Sequence, residues 1–307
     1  MTHIVLNPAF AERSKEPGAG VFYPASAPPS GGALRRFLGN PAALTGILIL
    51  AVIGLIAIFG PLLRPGDPLM ITGEPLIRPL TDAAHPFGTD VLGRDLLSGV
   101  LHGARVSLTI GLTVALLSLV FGALVGAVAG YAGGWVDALI SRAIEVFQTI
   151  PGFVLLVVLV SVLEPSYVTI IIGLTLISWD AVARLTRAEV RSHRSREYVL
   201  AAETSGYSSA RILFREILPN IAPTLIVTGS IIVASAILSE SALSFLGLGD
   251  PNAASWGSLI GSGREQIRSH WYPTVIPGLF IMATVFALNI LGDALNDHLN
   301  PRGSDGT

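Results

Sequence analysis

Seven of the nineteen basic residues lie between Arg184 and Pro219, at positions 184, 187, 191, 194, 196, 211 and 215. The first four recur at intervals of three, four and three, which sets their guanidinium groups along one helix face. Such a face can snorkel to anionic headgroups, and a loop kept in the cytoplasm can touch a cytoplasmic partner. This is binding chemistry rather than covalent chemistry. Acids beside the apolar runs are few. Asp180 stands four residues before Arg184 and Glu145 three after Arg142, spacings that suit helix ion pairs near the inner interface. Glu240 lies about 30 Å along a helix counted from Pro219 and is expected at the outer interface. None of the three falls at mid-membrane, where a proton relay would need one.

Other chemistries are excluded by what the sequence lacks. A phosphate-binding loop needs a lysine behind glycines, and Lys15, the single lysine, sits in Glu-Arg-Ser-Lys-Glu-Pro. Any ATP dependence must therefore come from a partner. With no cysteine there are no disulfides and no thiolate metal sites. The six histidines have no ligand-like spacing and only His102 lies near a span, so no metal site is expected from this chain alone. Neither His-Glu-x-x-His nor Gly-x-Ser-x-Gly occurs, which argues against an intramembrane hydrolase.

Composition identifies the elements that must position these groups. Hydrophobic residues make up 51% and charged residues 13% of the 307, about half the charged share of a soluble domain. The chain reads as an all-α integral membrane protein. Residues 1–37, rich in Pro, Ser, Ala and Gly, read as a disordered cytoplasmic tail, and Arg35-Arg36 as the positive charge holding an uncleaved anchor. A first transmembrane helix is expected over 38–64, with its apolar run from Ala43 to Leu63. Further spans are expected at Val106 to Val136, Val146 to Leu163, Pro165 to Val182, Ile217 to Ser239 and Trp271 to Gly292. Six spans put both termini on one side, with the arginine-rich loop 184–219, and the positive-inside bias makes that side cytoplasmic. A short tail, 299–307, follows the five-helix core 105–298.

The outer segment 65–104 opens with Pro65, Pro68, Pro75 and Pro79 as an extended covering loop. Its second half reads as an amphipathic helix starting near Thr89 or Asp90, with Leu92, Leu96 and Val100 on one side. Gly122, Gly126 and Gly130 form a small-residue ridge for close helix approach, either to another span of this chain or to a second subunit. Pro151-Gly152 and Pro277-Gly278 interrupt helical runs, as pivots or as fixed kinks.

Within the arginine-rich loop, Tyr198 to Thr204 reads as a short helix stopped by Gly206. Ser208 or Ser209 can cap a second one over Ala210 to Leu218, and Pro219 can open the next span. The product is a helical elbow whose alanines, Ala201 and Ala202, leave room for another protein surface. Here the chain becomes recognisable. Ala201-Ala202, Glu203, Gly206 and Ile217-Leu218-Pro219 resemble the Ala-Ala-x-x-x-Gly to Leu-Pro signature of ABC importer permeases. Leu200 stands where that family often carries an acid, and Glu216 where many members carry isoleucine. His85-Pro86, Gly88-Thr89-Asp90, Gly93-Arg94-Asp95 and Gly103-Ala104-Arg105 resemble the dipeptide and oligopeptide class. So do Glu240 to Gly249, Ser255-Trp256-Gly257 and Asn289 to Asp293.

The resemblance implies six transmembrane helices of the type I ABC importer permease kind, with a cytoplasmic coupling helix between spans four and five. Tyr198, Leu200, Ala201, Ala202, Glu203, Gly206, Ile217, Leu218 and Pro219 would carry ATPase coupling, and Pro151, Gly152, Pro277 and Gly278 would be hinges. It implies a second homologous permease, two ATP-binding subunits holding ATP and Mg, an external solute-binding protein and the bacterial inner membrane. It implies no cofactor on this chain and no nucleic acid. An ion-gradient-coupled transporter is the alternative, but it would need midplane acids or paired half-helices across an internal repeat. Purified free of partners, the chain is expected to hydrolyse no ATP in a phosphate-release assay.

Overall fold

The computed structural model describes Phe37 and residues 39–299. The readings of 1–37 and 299–307 as tails fall, but for Phe37 and Leu299, outside the described residues. In chain order the helices are α1 (Pro41–Leu63), α2 (Leu96–Ala132), α3 (Gly134–Thr149), α4 (Gly152–Leu163), α5 (Tyr167–Leu176), α6 (Trp179–Arg194), α7 (Glu197–Thr204), α8 (Ser209–Phe245), α9 (Trp256–Gly263) and α10 (Tyr272–Leu299). No strand occurs among the described residues, only the isolated bridges Ile71 to Arg94 and Thr89 to Asp95. Helices α1, α2, the α5–α6 pair, α8 and α10 are long and apolar enough to cross a membrane; α3 and α4, bent by 78°, make a sixth span if counted as one. The all-helical, multi-span architecture is the expected one.

The closest helix contact is that of α2 with α6. A Cβ on Gly122 would lie 2.6 Å from both the Trp179 carbonyl oxygen and the Val182 Cβ, and one on Gly130 would lie 2.6 Å from the Arg187 carbonyl oxygen. Gly126, between them, abuts the Ala183 carbonyl. The ridge therefore serves a span of this same chain. In a bilayer such contact matters because apolar burial gives little drive between helices, while dispersion grows steeply as backbones approach. Ion pairing reinforces it from the side. The Arg187 guanidinium grips the Asp137 carboxylate of α3 in a fork, one arm at 2.8 Å, and Arg191 stands 4.0 Å from the same group. Arg187, a member of the arginine face, thus pins α3 to α6 rather than simply snorkelling, with Arg191 adding its charge nearby.

Several boundaries differ from expectation, each for a local reason. The second span ends at Ala132, not Val136, because Gly133 and Gly134 both take positive φ, 66° and 53°, and turn the chain into α3. The third is not one helix from Val146 to Leu163. Pro151 sits at the 78° break, leaving α4 only 12 residues, about 18 Å. Pro277-Gly278, by contrast, interrupts nothing. Helix α10 runs through it, since a proline so near the helix start frees only the Pro273 carbonyl. The Asp180–Arg184 ion pair is replaced by two bonds to Gln148: its amide donates to Asp180 at 2.9 Å and accepts from Arg184 at 3.0 Å. Arg142 and Glu145 do pair, at 2.8 Å.

No helix begins at Thr89 or Asp90. Both are buried in the covering loop, where Asp90 accepts the backbone N–H groups of Leu92 and Arg94 and the Thr89 hydroxyl donates to the Glu74 carbonyl. Asp95 is the cap of α2, accepting from Ser98 N–H at 3.0 Å, so Leu96 and Val100 are buried on a helix from which the half-exposed Leu92 is excluded.

The fifth span extends to Phe245 and carries Glu240 with it. That carboxylate is enclosed by protein. It is 1% exposed, accepting from Ser244 at 2.7 Å and from Ser255 at 2.6 Å. Ser255 also caps α9, which folds over the end of α8, and Trp256 anchors α9 by donating from its indole to the Val100 carbonyl at 3.1 Å. The Glu240-to-Gly249 and Ser-Trp-Gly motifs are two halves of one clasp.

The ridge yields a graded expectation. Gly126→Val should destabilise the purified chain by about 1–3 kcal/mol through overpacking, read as a lowered thermal midpoint in detergent. Gly54→Ala on α1, where a Cβ meets nothing within 4 Å, should leave the midpoint unchanged.

Candidate functional site, the helical elbow

The elbow is built from α7 and the start of α8. Arg196, extended, opens α7, and Glu197 to Thr204 supply good helix formers. The stop is a Schellman motif: Gly206, at φ 78°, donates its N–H to the Glu203 carbonyl at 3.0 Å, and Tyr207 donates to the Ala202 carbonyl at 3.1 Å. Ser208 then caps the next helix, accepting from Arg211 N–H at 3.4 Å. No separate short helix follows. Ser209 to Phe245 is continuous, with a π-helical stretch over Ile212–Ile217. Pro219 therefore does not open a span. Its ring cannot sit over the Arg215 carbonyl in a tight α-turn, and the wider π turn just before it gives that carbonyl room.

The elbow has two faces. Inward, Val199, Ala202, Ile212, Leu213, Ile217 and Ile221 form one buried cluster with Ala127 of α2 and Val190 of α6. Outward, Leu200 is 50% and Phe214 55% exposed, and Ala201, Glu203, Gly206 and Tyr207 share that exposure. The sequence residues thus divide. Leu200, Ala201, Glu203, Gly206 and Pro219 are open to a partner, whereas Ala202 and Ile217 are buried and Tyr198 and Leu218 half-buried within the elbow. Ala202 accordingly leaves room for α8, not for another protein. Tyr207 and Phe214 were not distinguishable in sequence from core aromatics, because the turn between α7 and α8 decides which way they face. Arg211 covers the Tyr207 ring at 3.9 Å, holding that aromatic on the surface.

Polar bonds fix the elbow to two spans at once. The Tyr198 hydroxyl and the His193 ring nitrogen Nδ1 are 2.7 Å apart, tying α7 to the end of α6. The Tyr131 hydroxyl of α2 donates to Glu203 at 3.5 Å, and Arg194 lies over the Tyr131 ring at 5.3 Å. Burial pushes the Tyr198 hydroxyl pKa up, so the bond to His193 is made by a neutral phenol. Force applied to α7 therefore reaches α2, α6 and α8 together. The arrangement offers no nucleophile or general base; what it can do is dock and transmit. Of the expected hinges, Pro151 and Gly152 stand at a real bend, and Pro277 and Gly278 lie in unbroken helix. Among the described residues no cluster of three or more metal-ligating side chains occurs.

Comparison with known proteins agrees with this architecture. The family described as binding-protein-dependent transport system inner membrane component matches residues 118–304, and the N-terminal TM domain of oligopeptide transport permease C matches residues 29–76. The di/tripeptide transport system permease protein DppC of Pseudomonas aeruginosa is 38% identical over 87% of this chain and 90% of its own length. The dipeptide transport system permease protein DppC of Bacillus subtilis is 39% identical over 88% of this chain and 85% of its own. The oligopeptide transport system permease protein OppC of Escherichia coli is 37% identical over 88% and 90%. An inner-membrane transport component is not an enzyme, and membership sets aside the ion-gradient-coupled alternative. The chain belongs to the binding-protein-dependent inner membrane components, as a multi-pass permease subunit of the dipeptide and oligopeptide ABC importer class.

Proposed function

We propose that this chain and a second, homologous permease form the path by which di- or oligopeptides, delivered by an external solute-binding protein, cross the inner membrane. Two partner subunits binding ATP and Mg supply the energy, and this chain binds no cofactor. The observation that carries the reading is the elbow: an exposed apolar surface of Leu200, Ala201, Tyr207 and Phe214 on a rigid turn tied to three spans. An apolar patch rimmed by charge on an interior membrane face suits a protein partner better than lipid or water. The relatives support the solute class, since those proteins are di/tripeptide, dipeptide and oligopeptide permeases.

In this reading α7 is the coupling helix. Leu200, Ala201, Glu203 and Gly206 contact the ATP-binding subunit. Tyr198, Ala202, Ile217 and Leu218 hold the contact surface to the spans, and Pro219 sets the π turn behind it. Closure of the ATP-binding pair pushes α7, and α2, α6 and α8 follow because they share its core. The Pro151-Gly152 break lets α3 and α4 change their angle, while Pro277-Gly278, inside unbroken α10, moves with that helix as one piece. Both termini and the elbow are cytoplasmic, as the arginine concentration favours, and the covering loop 65–104 faces the binding protein.

Two substitutions test the coupling role. Gly206→Val imposes about 1–2 kcal/mol of left-handed backbone strain without a clash, since a Cβ there meets nothing within 4 Å. Ala201→Asp puts a charge in the docking face. In the assembled complex each is expected to lower binding-protein-stimulated ATP hydrolysis by about tenfold or more, with the chain still inserted. Unaltered peptide uptake in both variants would remove the coupling assignment. A Thr204→Ala change on the rim should leave stimulated hydrolysis within about twofold, as surface changes usually do.

A further inference from the structure

Gln148 lies in the last turn of α3, just before the Pro151 break, and its side chain lies between two opposite charges. The amide N–H donates to Asp180 Oδ2 at 2.9 Å and the amide oxygen accepts from Arg184 Nη1 at 3.0 Å. Only this orientation satisfies both partners: a carboxylate can only accept and a guanidinium can only donate. Asp180 and Arg184 are four apart on α6, the spacing for a direct pair, yet no ion pair joins them among the described residues. One amide group holds them apart. With Phe147, Ile150, Leu155 and Ile177 the three line a cavity of about 300 Å³.

Depth decides what this cavity faces. Asp180 lies thirteen residues from Tyr167, the outer start of its span on the proposed orientation, about 20 Å along a helix. Toward the inner end of the span, a carboxylate, a guanidinium and a broken backbone are all costly against lipid tails. They are better matched by protein or a wet path. Gln148 and Arg184 are exposed and Asp180 half-buried, so the chain's own helices do not cover them.

A glutamine side-chain amide is chemically a peptide group. We propose that Asp180 and Arg184 form a peptide-binding station in the translocation path, and that Gln148 is its resident surrogate, displaced by a passing solute. A peptide N–H or terminal ammonium takes Asp180; a peptide carbonyl or terminal carboxylate takes Arg184. Every peptide carries both groups whatever its side chains, so the station reads the main chain and ignores sequence. Exchanging one amide for another conserves the number of hydrogen bonds. The solute is accepted without being trapped, the balance that passage requires.

This rests on the peptide-import reading above, and the test separates the two. In the full complex in proteoliposomes, with its binding protein and alanine peptides of two to five residues, peptides imported per ATP hydrolysed are counted. Arg184→Gln and Asp180→Asn are each expected to lower that ratio by about tenfold, the scale of one lost charge-assisted hydrogen bond. A ratio within about threefold of the unmodified complex, whatever the separate rates do, would overturn the station. Because the chain has no cysteine, Gln148→Cys gives it a single thiol. A charged, membrane-impermeant thiol reagent should modify that thiol in the assembled transporter; no modification would mean the position is sealed by lipid or protein and would overturn the proposal by an independent route. An unmodified complex that hydrolyses ATP yet imports no alanine peptide would overturn the function itself.

Discussion

Backbone proximity between α2 and α6 is the constraint on which the other features depend. Three glycines on α2, one helical turn apart, let two main chains approach so closely that a methyl group at any of them would overlap carbonyls or Val182 and Val190. Lipid offers apolar contact everywhere, so a helix pair in a bilayer is specified by shape rather than by hydrophobicity. Once α2 and α6 are fixed, the Gly133-Gly134 turn brings α3 back along α6, and the Asp137–Arg187 fork closes that face. The same packing puts Ala127 of α2 and Val190 of α6 where α7 and α8 complete their core.

The elbow owes its rigidity to that arrangement. Eight residues of isolated helix would not persist in water, because nucleation is unfavourable and so few bonds follow. Here the stop at Gly206, the buried Val199 and Ala202, and the contacts of Tyr198 and Glu203 supply what propensity cannot. The spans reach the elbow through side chains packed at low exposure, and protein interiors transmit displacement because they are dense. At the opposite end, α9 is held to α8 and α2 through Ser255 and Trp256. The permease is thus braced at both ends, and the 78° bend at Pro151 lies between the braces.

Apolar length made most spans legible in sequence, and the ridge was legible because glycine at every fourth position has few other uses in a helix. Helix ends were harder. Val136 continues the apolar run past Ala132, and nothing in hydropathy marks that Gly133 and Gly134 both turn left-handed. Pro219 resembles a helix start because proline is welcome there, but the neighbouring π turn lets the helix pass through it. The elbow's residues were found by resemblance, while their division into inward and outward sets needed coordinates, since Ala201 and Ala202 are identical in type and opposite in fate. Gln148 carried no signal at all. Its meaning comes from Asp180 and Arg184, which are distant in sequence and adjacent only because α3 doubles back.

The Glu240 clasp also bears on how the protein is made. Glu240 and Ser244 are synthesised before Ser255, fifteen residues later, and before the α9 fold that buries them. At about 5–20 residues per second the carboxyl group waits one to a few seconds without its second hydroxyl. An unshielded acid at the core of a bilayer is disfavoured by about 2.5–3.5 kcal/mol on insertion scales, less toward the interface. α8 is therefore a segment whose lateral release into lipid is favourable early along its length and least favourable at its trailing end. The segment that relieves this, Ser255 to Gly263, is too short to cross a membrane by itself. Completion of the fifth span is in that sense a task of the loop that follows it, and ribosome pausing within those fifteen residues would leave the helix seated but its last turns unclaimed.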